Sequence, residues 1–192
     1  MLKYLENKPS KRMNRLFLII GIIIFIPVYY LNYLTSTKIF EPDVLTKLLT
    51  SFDTDYFKEV FFSVSQRGQL NDLFTVYLLN IVSVIGFALI FFALTIIIAR
   101  SITKDSKLSK ISFIFPVIVM IIALLDILPS ITFLILTKKP DVIADFTTYF
   151  INGSYVLRMV LIYIVFLWIL FAGLFFLIKY IKRRMDNSGN AF

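Results

Sequence analysis

The 192-residue sequence contains no cysteine and no histidine. Without these residues the chain has no disulfide, no thiolate site, no haem ligated by His or Cys, and no zinc site of the usual composition. Nucleophilic catalysis that depends on a His or Cys side chain is excluded for the same reason. We therefore expect neither a metal site nor a cofactor. The lack of cysteine is itself compatible with any redox compartment.

Charged residues are also scarce, at 17% of the chain, whereas 59% of the residues are apolar. The apolar residues are concentrated in four runs, which cover about 16–34, 73–99, 111–136 and 155–178. Each run exceeds the roughly 18 residues that are typical of a membrane-spanning helix. Because little chain is left for a separate soluble domain, the sequence predicts one all-α transmembrane domain, an integral membrane four-helix bundle that covers 1–192.

The net charge of +8 is distributed unevenly between the connections. Thirteen of the 20 Lys and Arg residues lie in the N-terminal tail, in the loop between the second and third runs, and in the C-terminal tail. The other two connections contain six, together with eight acidic residues. By the positive-inside rule, this distribution predicts a multi-pass protein of the cell membrane with both termini in the cytoplasm. The basic clusters then face lipid head groups, and we expect no binding to nucleic acid.

The outer segment 35–72 carries apolar residues at helical spacing in two sets. The first set lies within 43–52, and the second lies within 57–64, after the capping candidates Asp53 and Thr54 and before Gly68. The pattern predicts two short amphipathic helices in this first outer loop. They either lie in the lipid interface and cap the bundle, or form a lid over a cavity or a docking face for a partner.

In the second outer connection, 137–154, the sequence predicts a short helix over 141–150, before Asn152 and Gly153. We expect the tail 187–192 to be disordered. Gly86, in the second run, is expected to allow close approach of a neighbouring helix, because small residues are how membrane helices pack.

A single carboxylate, Asp126, lies near the middle of the third run. It is ten residues, or about 15 Å, from the outer end of that run at Leu136, close to the middle of a hydrocarbon layer roughly 30 Å thick. A bare carboxylate there costs a few kcal/mol, so it should be paired, protonated or in contact with water. Ser130 follows on the same helix face, and Pro129 leaves the carbonyl of Leu125 without its helical donor.

Two residues in the other runs are candidate partners for Asp126. Asn80, in the second run, either bonds to a neighbouring helix or contacts a ligand. Arg158, in the fourth run, would be only about 5 Å deep if its helix began at Tyr155, and would then snorkel to the surface; a start near Ile151 would allow a direct pair. We favour a coupled Asp126 and Arg158 pair. The predicted polar cluster, in the outer half of the membrane, is Asn80, Asp126, Ser130 and Arg158.

Several of these positions also carry a family resemblance, namely Arg67-Gly68, Tyr77, Asn80, Asp126, Lys139-Pro140 and Arg158. The segment from Phe52 to Ile181 resembles a family of small bacterial four-span membrane proteins without an assigned activity. That family has an acid early in the second span, where Asn80 stands here, and Asp-x-x-Glu-Asn in the third, where Pro129-Ser130 replaces Glu-Asn. The resemblance implies a four-span topology and singles out Asn80, Asp126 and Arg158, but implies no reaction.

Three classes of function fit these features. The first is a non-enzymatic accessory, scaffold or interaction protein in which the polar cluster fixes the helix packing, with membrane lipids, a protein partner or a second copy of the chain as neighbours. The second binds or transports a lipid, an amphiphile or protons through Asp126, although the apolar inner half argues against a path across the membrane. The third is an intramembrane isomerase-type enzyme with Asp126 as acid or base. We favour the first class and assign no catalytic residue.

Overall fold

The computed structural model describes residues 2–102, 107–139 and 143–189, and their secondary structure is entirely helical. The helices are α1 (Leu2–Asn7), α2 (Lys11–Ile39), α3 (Pro42–Thr50), α4 (Thr54–Gln66), α5 (Leu70–Ser101), α6 (Lys107–Ser112), α7 (Ile114–Lys138) and α8 (Asp145–Gly189). Four segments are long and apolar enough to cross a membrane: Lys11–Ile39, Leu70–Ser101, Lys110–Lys138 and Asp145–Phe175. The prediction of an all-α chain with four candidate spans is therefore confirmed.

The four long helices form an antiparallel series in which α2 packs on α5, α5 on α7, and α7 on α8. The side chain of Asn14, early in α2, reaches the carbonyl of Ala93, late in α5. The ring of Phe115, early in α7, stacks on Trp168, in the second half of α8. One end of the bundle thus carries α1, the start of α2 and the end of α5, and we call it the terminal end. The opposite end carries α3 and α4, and we call it the loop-helix end.

The contact between α2 and α5 depends on two glycines. A Cβ atom on Gly21 would lie 2.8 Å from the carbonyl oxygen of Gly86, and a Cβ on Gly86 would lie 2.8 Å from the backbone nitrogen of Phe25. Real Cβ atoms do not approach backbone atoms so closely, so the close approach predicted at Gly86 is present. Because α2 buries few other residues, this contact sets its register against α5.

An aromatic core fixes α4 to the bundle at the loop-helix end, and Leu48 of α3 is buried in the same hydrophobic cluster. Phe133 of α7 stacks with Phe57 and Phe61 of α4, at ring-centroid distances of 5.6 and 6.2 Å, and with Tyr77 of α5 at 3.9 Å. The carboxylate of Asp53 caps α4 by accepting hydrogen bonds from the backbone N–H groups of residues 55 and 56, at 3.0 Å each. The short helices are therefore packed parts of the fold.

At Asn152 and Gly153 the helix is continuous, because α8 runs without interruption from Asp145. Asn152 is fully buried, and the amide orientation that satisfies both its neighbours has its nitrogen donating to the carbonyl of Leu48 in α3 at 3.1 Å. In that orientation its oxygen accepts from the backbone N–H of Phe52, just after α3, at 3.0 Å. The side chain therefore caps the end of α3 and does not compete for the backbone of its own helix.

Other differences concern helix ends. The third span is interrupted at Phe113, between α6 and α7, because Pro116 has no N–H to donate to the carbonyl of Ser112. The short helix predicted over 141–150 is instead the start of α8 from Asp145; residues 141 and 142 lie outside the described part of the chain. Where a disordered tail was expected over 187–192, α8 extends to Gly189, and 190–192 lie outside the described part.

Candidate functional site

The four residues predicted to form a polar cluster make one continuous network between three helices. Asp126, on α7, accepts a hydrogen bond from the side-chain amide of Asn80 on α5, with 3.1 Å between Nδ2 and Oδ1. The other carboxylate oxygen of Asp126 forms an ion pair with Nη1 of Arg158 on α8. A single carboxylate thus connects α5, α7 and α8.

Ser130 closes the network on the side of α5. Its hydroxyl accepts a hydrogen bond from Nδ2 of Asn80 at 2.9 Å and donates one to the backbone carbonyl of Asp126 at 2.8 Å. Both amide N–H groups of Asn80 are used in this way. Ser83, one turn further along α5, donates to the backbone carbonyl of Asn80 at 2.9 Å. The spacing of Asp126 and Ser130, four residues apart on one helix face, is what places the carboxylate and the hydroxyl together.

The depth of Arg158 follows from where α8 begins. Arg158 lies about 20 Å along the helix axis from the first residue of α8, Asp145. In a helix that began at Tyr155, the same distance would be only about 5 Å. At this depth the guanidinium contacts Asp126 directly and does not extend to the end of the bundle. The ring of Tyr155 lies beneath it, with 4.8 Å between the ring centroid and Cζ, in a cation–π contact. The position of Tyr155, one turn before Arg158, is the signal in the sequence for this contact.

The ion pair is neutral overall and is not sealed from its surroundings. The side chains of Asp126 and Arg158 are each 18% exposed. A cavity of about 250 Å³ opens beside them and is lined by all four residues of the polar cluster. For comparison, a dry cavity of about 150 Å³ is enough to bind benzene. The cavity can therefore hold a small apolar or amphiphilic group next to a polar wall.

Two further helices, α2 and α3, contribute to the cavity wall. Leu45 and Leu49 of α3 close it at the loop-helix end, and Asn32 and Ser36 line it from α2. The Oδ1 atom of Asn32 is buried and has no hydrogen-bond partner among the described residues. Asn32 was missed in the sequence, although a lone Asn in an apolar run is the same signal that identified Asn80. Through Leu45 and Leu49, α3 lies beside the cavity at the loop-helix end.

The polar groups at this cavity are suited to hydrogen bonding. Leu125 and Pro129 both line it, and Pro129 has no N–H group to donate to the carbonyl of Leu125. Within residues 2–102, 107–139 and 143–189, no three His, Cys, Asp or Glu side chains are grouped so that they could hold a metal ion.

Comparison of the chain with family models, curated proteins and solved structures gave no match. The family resemblance therefore stays a prediction, and the site rests on its geometry.

Proposed function

We propose that this chain is a non-enzymatic integral membrane protein, an accessory or scaffold protein, in which the polar cluster holds the bundle together as an interhelical clasp. The observation that carries this proposal is the bonding of Asp126 to both Asn80 on α5 and Arg158 on α8. An acid and a base at this depth are each unfavourable alone and stabilise each other when paired. Both oxygens of the carboxylate are engaged in contacts between helices, which is the arrangement that a clasp requires.

A double-mutant cycle tests the clasp. We expect Asp126→Asn and Arg158→Leu each to lower the free energy of unfolding in detergent by about 3 kcal/mol, because each leaves one buried charge without its partner. The double variant should recover much of that loss, because neither charge remains. Asp72→Asn, at an exposed carboxylate near the start of α5, is the matched control and should change stability little. Losses that simply add would contradict the clasp.

Binding of a lipid or another amphiphile is the second candidate, and the cavity beside the polar cluster supports it. Its wall joins apolar side chains to a neutral pair of charges, as the head and chain of an amphiphile require. The same variants separate the two functions when co-purified lipid is measured by mass spectrometry. If Asp126→Asn kept its stability but lost a bound amphiphile, the cluster would be a ligand site and the clasp proposal would fail.

The orientation is part of the proposal. The excess of Lys and Arg in both tails and in the loop between the second and third spans supports cytoplasmic termini in the cell membrane. In this orientation the loop-helix end is outside. Few residues of α2 are buried, namely Asn14, Gly21 and Ile39, so that most of its surface is available to lipid, to a protein partner or to a second copy of the chain. Labelling of single cysteines from each side of the membrane tests this orientation.

A further inference from the structure

A second pocket lies at the terminal end, where α2 begins beside the last turn of α5. Its volume is about 280 Å³, and three of its lining residues are cationic: Lys11 and Arg15 on α2, and Arg100 on α5. We call it the basic pocket. The side chain of Asn14, which also lines it, donates to the carbonyl of Ala93 at 3.0 Å and so holds the two helices together at its base.

Among the described residues, no carboxylate forms an ion pair with the cations of the basic pocket. The described residues contain two ion pairs, Lys58 with Asp55 and Arg158 with Asp126, and neither involves these three cations. The described residues that line the pocket include no acid. Three cations on adjacent helix ends repel one another, so an anion in the pocket would lower the free energy of the folded state.

Arg100 is held in position by the N-terminal segment. Its Nε and Nη2 atoms donate to the carbonyl of Leu5 at 3.2 and 2.8 Å, and Nη1 donates to the carbonyl of Pro9 at 2.8 Å. A guanidinium has five N–H donors, so these three bonds leave two for a ligand. The cation is thus fixed in advance at the pocket, which lowers the entropy cost of binding.

The basic pocket also lies at the level where lipid head groups are expected. The apolar run of α2 begins at Leu16, directly after Arg15, and the apolar run of α5 ends at Ala99, directly before Arg100. The cations therefore mark the boundary of both spans. Asn14 is 2% exposed, and its Oδ1 atom has no partner among the described residues, which leaves one acceptor beside the three cations.

We propose that the basic pocket binds the phosphate group of an anionic phospholipid, with Lys11, Arg15 and Arg100 as its ligands. A phosphate diester offers two charged oxygens to these donors, and arginine and phosphate match in geometry. A zwitterionic lipid carries the same phosphate together with a cation, which the three basic residues repel. Basic pockets between membrane helices on the cytoplasmic side are suited to this kind of ligand.

The test compares two arginines of the same helix. The purified chain, in a neutral detergent, is titrated with phosphatidylglycerol, phosphatidylcholine or inorganic phosphate, and the midpoint of thermal unfolding is followed. We expect phosphatidylglycerol to stabilise the protein at concentrations at which the other two do not. Arg15→Gln should raise the half-saturating concentration about fivefold, and Lys11→Gln combined with Arg15→Gln about 25-fold. Arg12→Gln, an identical change at an exposed arginine outside the pocket, should leave it unchanged.

Each other outcome overturns the proposal. Equal weakening by Arg12→Gln and Arg15→Gln would mean diffuse attraction to the whole basic tail. Equal stabilisation by phosphatidylcholine would mean that binding does not depend on the net charge of the lipid head group. Equal stabilisation by inorganic phosphate would mean a site for soluble anions. If neither arginine variant alters the titration, the lipid binds elsewhere. The substituted residues lie on the first turns of α2 and are not among the partners of Asp126, so the outcome is independent of the clasp.

Discussion

The two ends of the bundle differ in whether protein groups compensate their positively charged side chains. At the loop-helix end, Arg158 lies deep along α8 and meets a carboxylate, an amide and an aromatic ring. At the terminal end, three cations line a pocket, and no carboxylate of the described part of the chain lines its wall. An ionised group deep in the bundle is compensated by the protein itself, because an unpaired charge in apolar surroundings is unfavourable. Charge at the boundary can be left for lipids to compensate, which explains why the two polar sites differ.

One helix takes part in both sites. The first turns of α2 supply Lys11 and Arg15 to the basic pocket, and its last turns supply Asn32 and Ser36 to the cavity beside the polar cluster. Since α2 packs mainly on α5, its register against that helix determines the geometry of both sites. Substitutions that affect only one of the two sites, and substitutions that affect both, therefore test how the two ends differ.

The largest expected effect concerns the sides of the membrane that the two ends face. The chain has no cysteine, so each single-cysteine variant carries one thiol. We expect Ser63→Cys, at an exposed position of α4, to react with a membrane-impermeant maleimide from outside intact cells. Ser106→Cys, in the basic loop between the second and third spans, should react only after the cells are opened. The unmodified chain is the control for background labelling. Reaction of both thiols from the same side would remove the difference between the two ends.

The second prediction concerns Gly86→Ala, a substitution that should affect the sites at both ends of the bundle. Gly86→Ala places a Cβ atom 2.8 Å from the backbone of Phe25, so α2 must move away from α5. We expect a loss of about 2–3 kcal/mol in the free energy of unfolding, although alanine favours helices over glycine. The preference for phosphatidylglycerol should weaken in the same variant. Gly173→Ala, where no heavy atom lies within 4 Å of the new Cβ, is the matched control and should be neutral or slightly stabilising. Equal behaviour of the two variants would contradict the proposed role of the glycine contact.

The residues of the polar cluster could be predicted from the sequence because each is conspicuous in its own apolar run. Asn80, Asp126 and Arg158 are polar groups where hydrocarbon is expected, and a buried polar group needs a partner. Their direct contact could not be predicted with the same certainty, since it depends on where α8 begins. Asn152 followed by Gly153 has the composition of a turn. Only the packing of α3 against α8 provides the partners that allow Asn152 to remain within a helix.

The basic pocket is a different case. Lys11, Arg15 and Arg100 are visible in the sequence as ordinary markers of membrane topology. Their convergence depends on the register of α2 against α5, which follows from the contact between Gly21 and Gly86. It also depends on the fold of the first residues, whose carbonyls orient Arg100. Neither relation is contained in local periodicity, so the sequence alone indicated a basic surface and not a pocket.

The smallest expected effect separates the two ends by ionic strength. Raising the salt concentration from about 0.1 M to about 1 M shortens the Debye length from about 10 Å to about 3 Å, and exposed charges are screened far more than buried pairs. We expect the half-saturating concentration of phosphatidylglycerol to rise about fivefold or more over this range. The stability difference between the unmodified chain and Asp126→Asn, measured at the same two salt concentrations, should change by less than about 0.5 kcal/mol.

Taking the difference at each concentration removes the general effect of salt on hydrophobic packing. A salt-sensitive clasp would mean that water and ions reach Asp126, and a salt-insensitive lipid preference would mean that the basic pocket is not electrostatic.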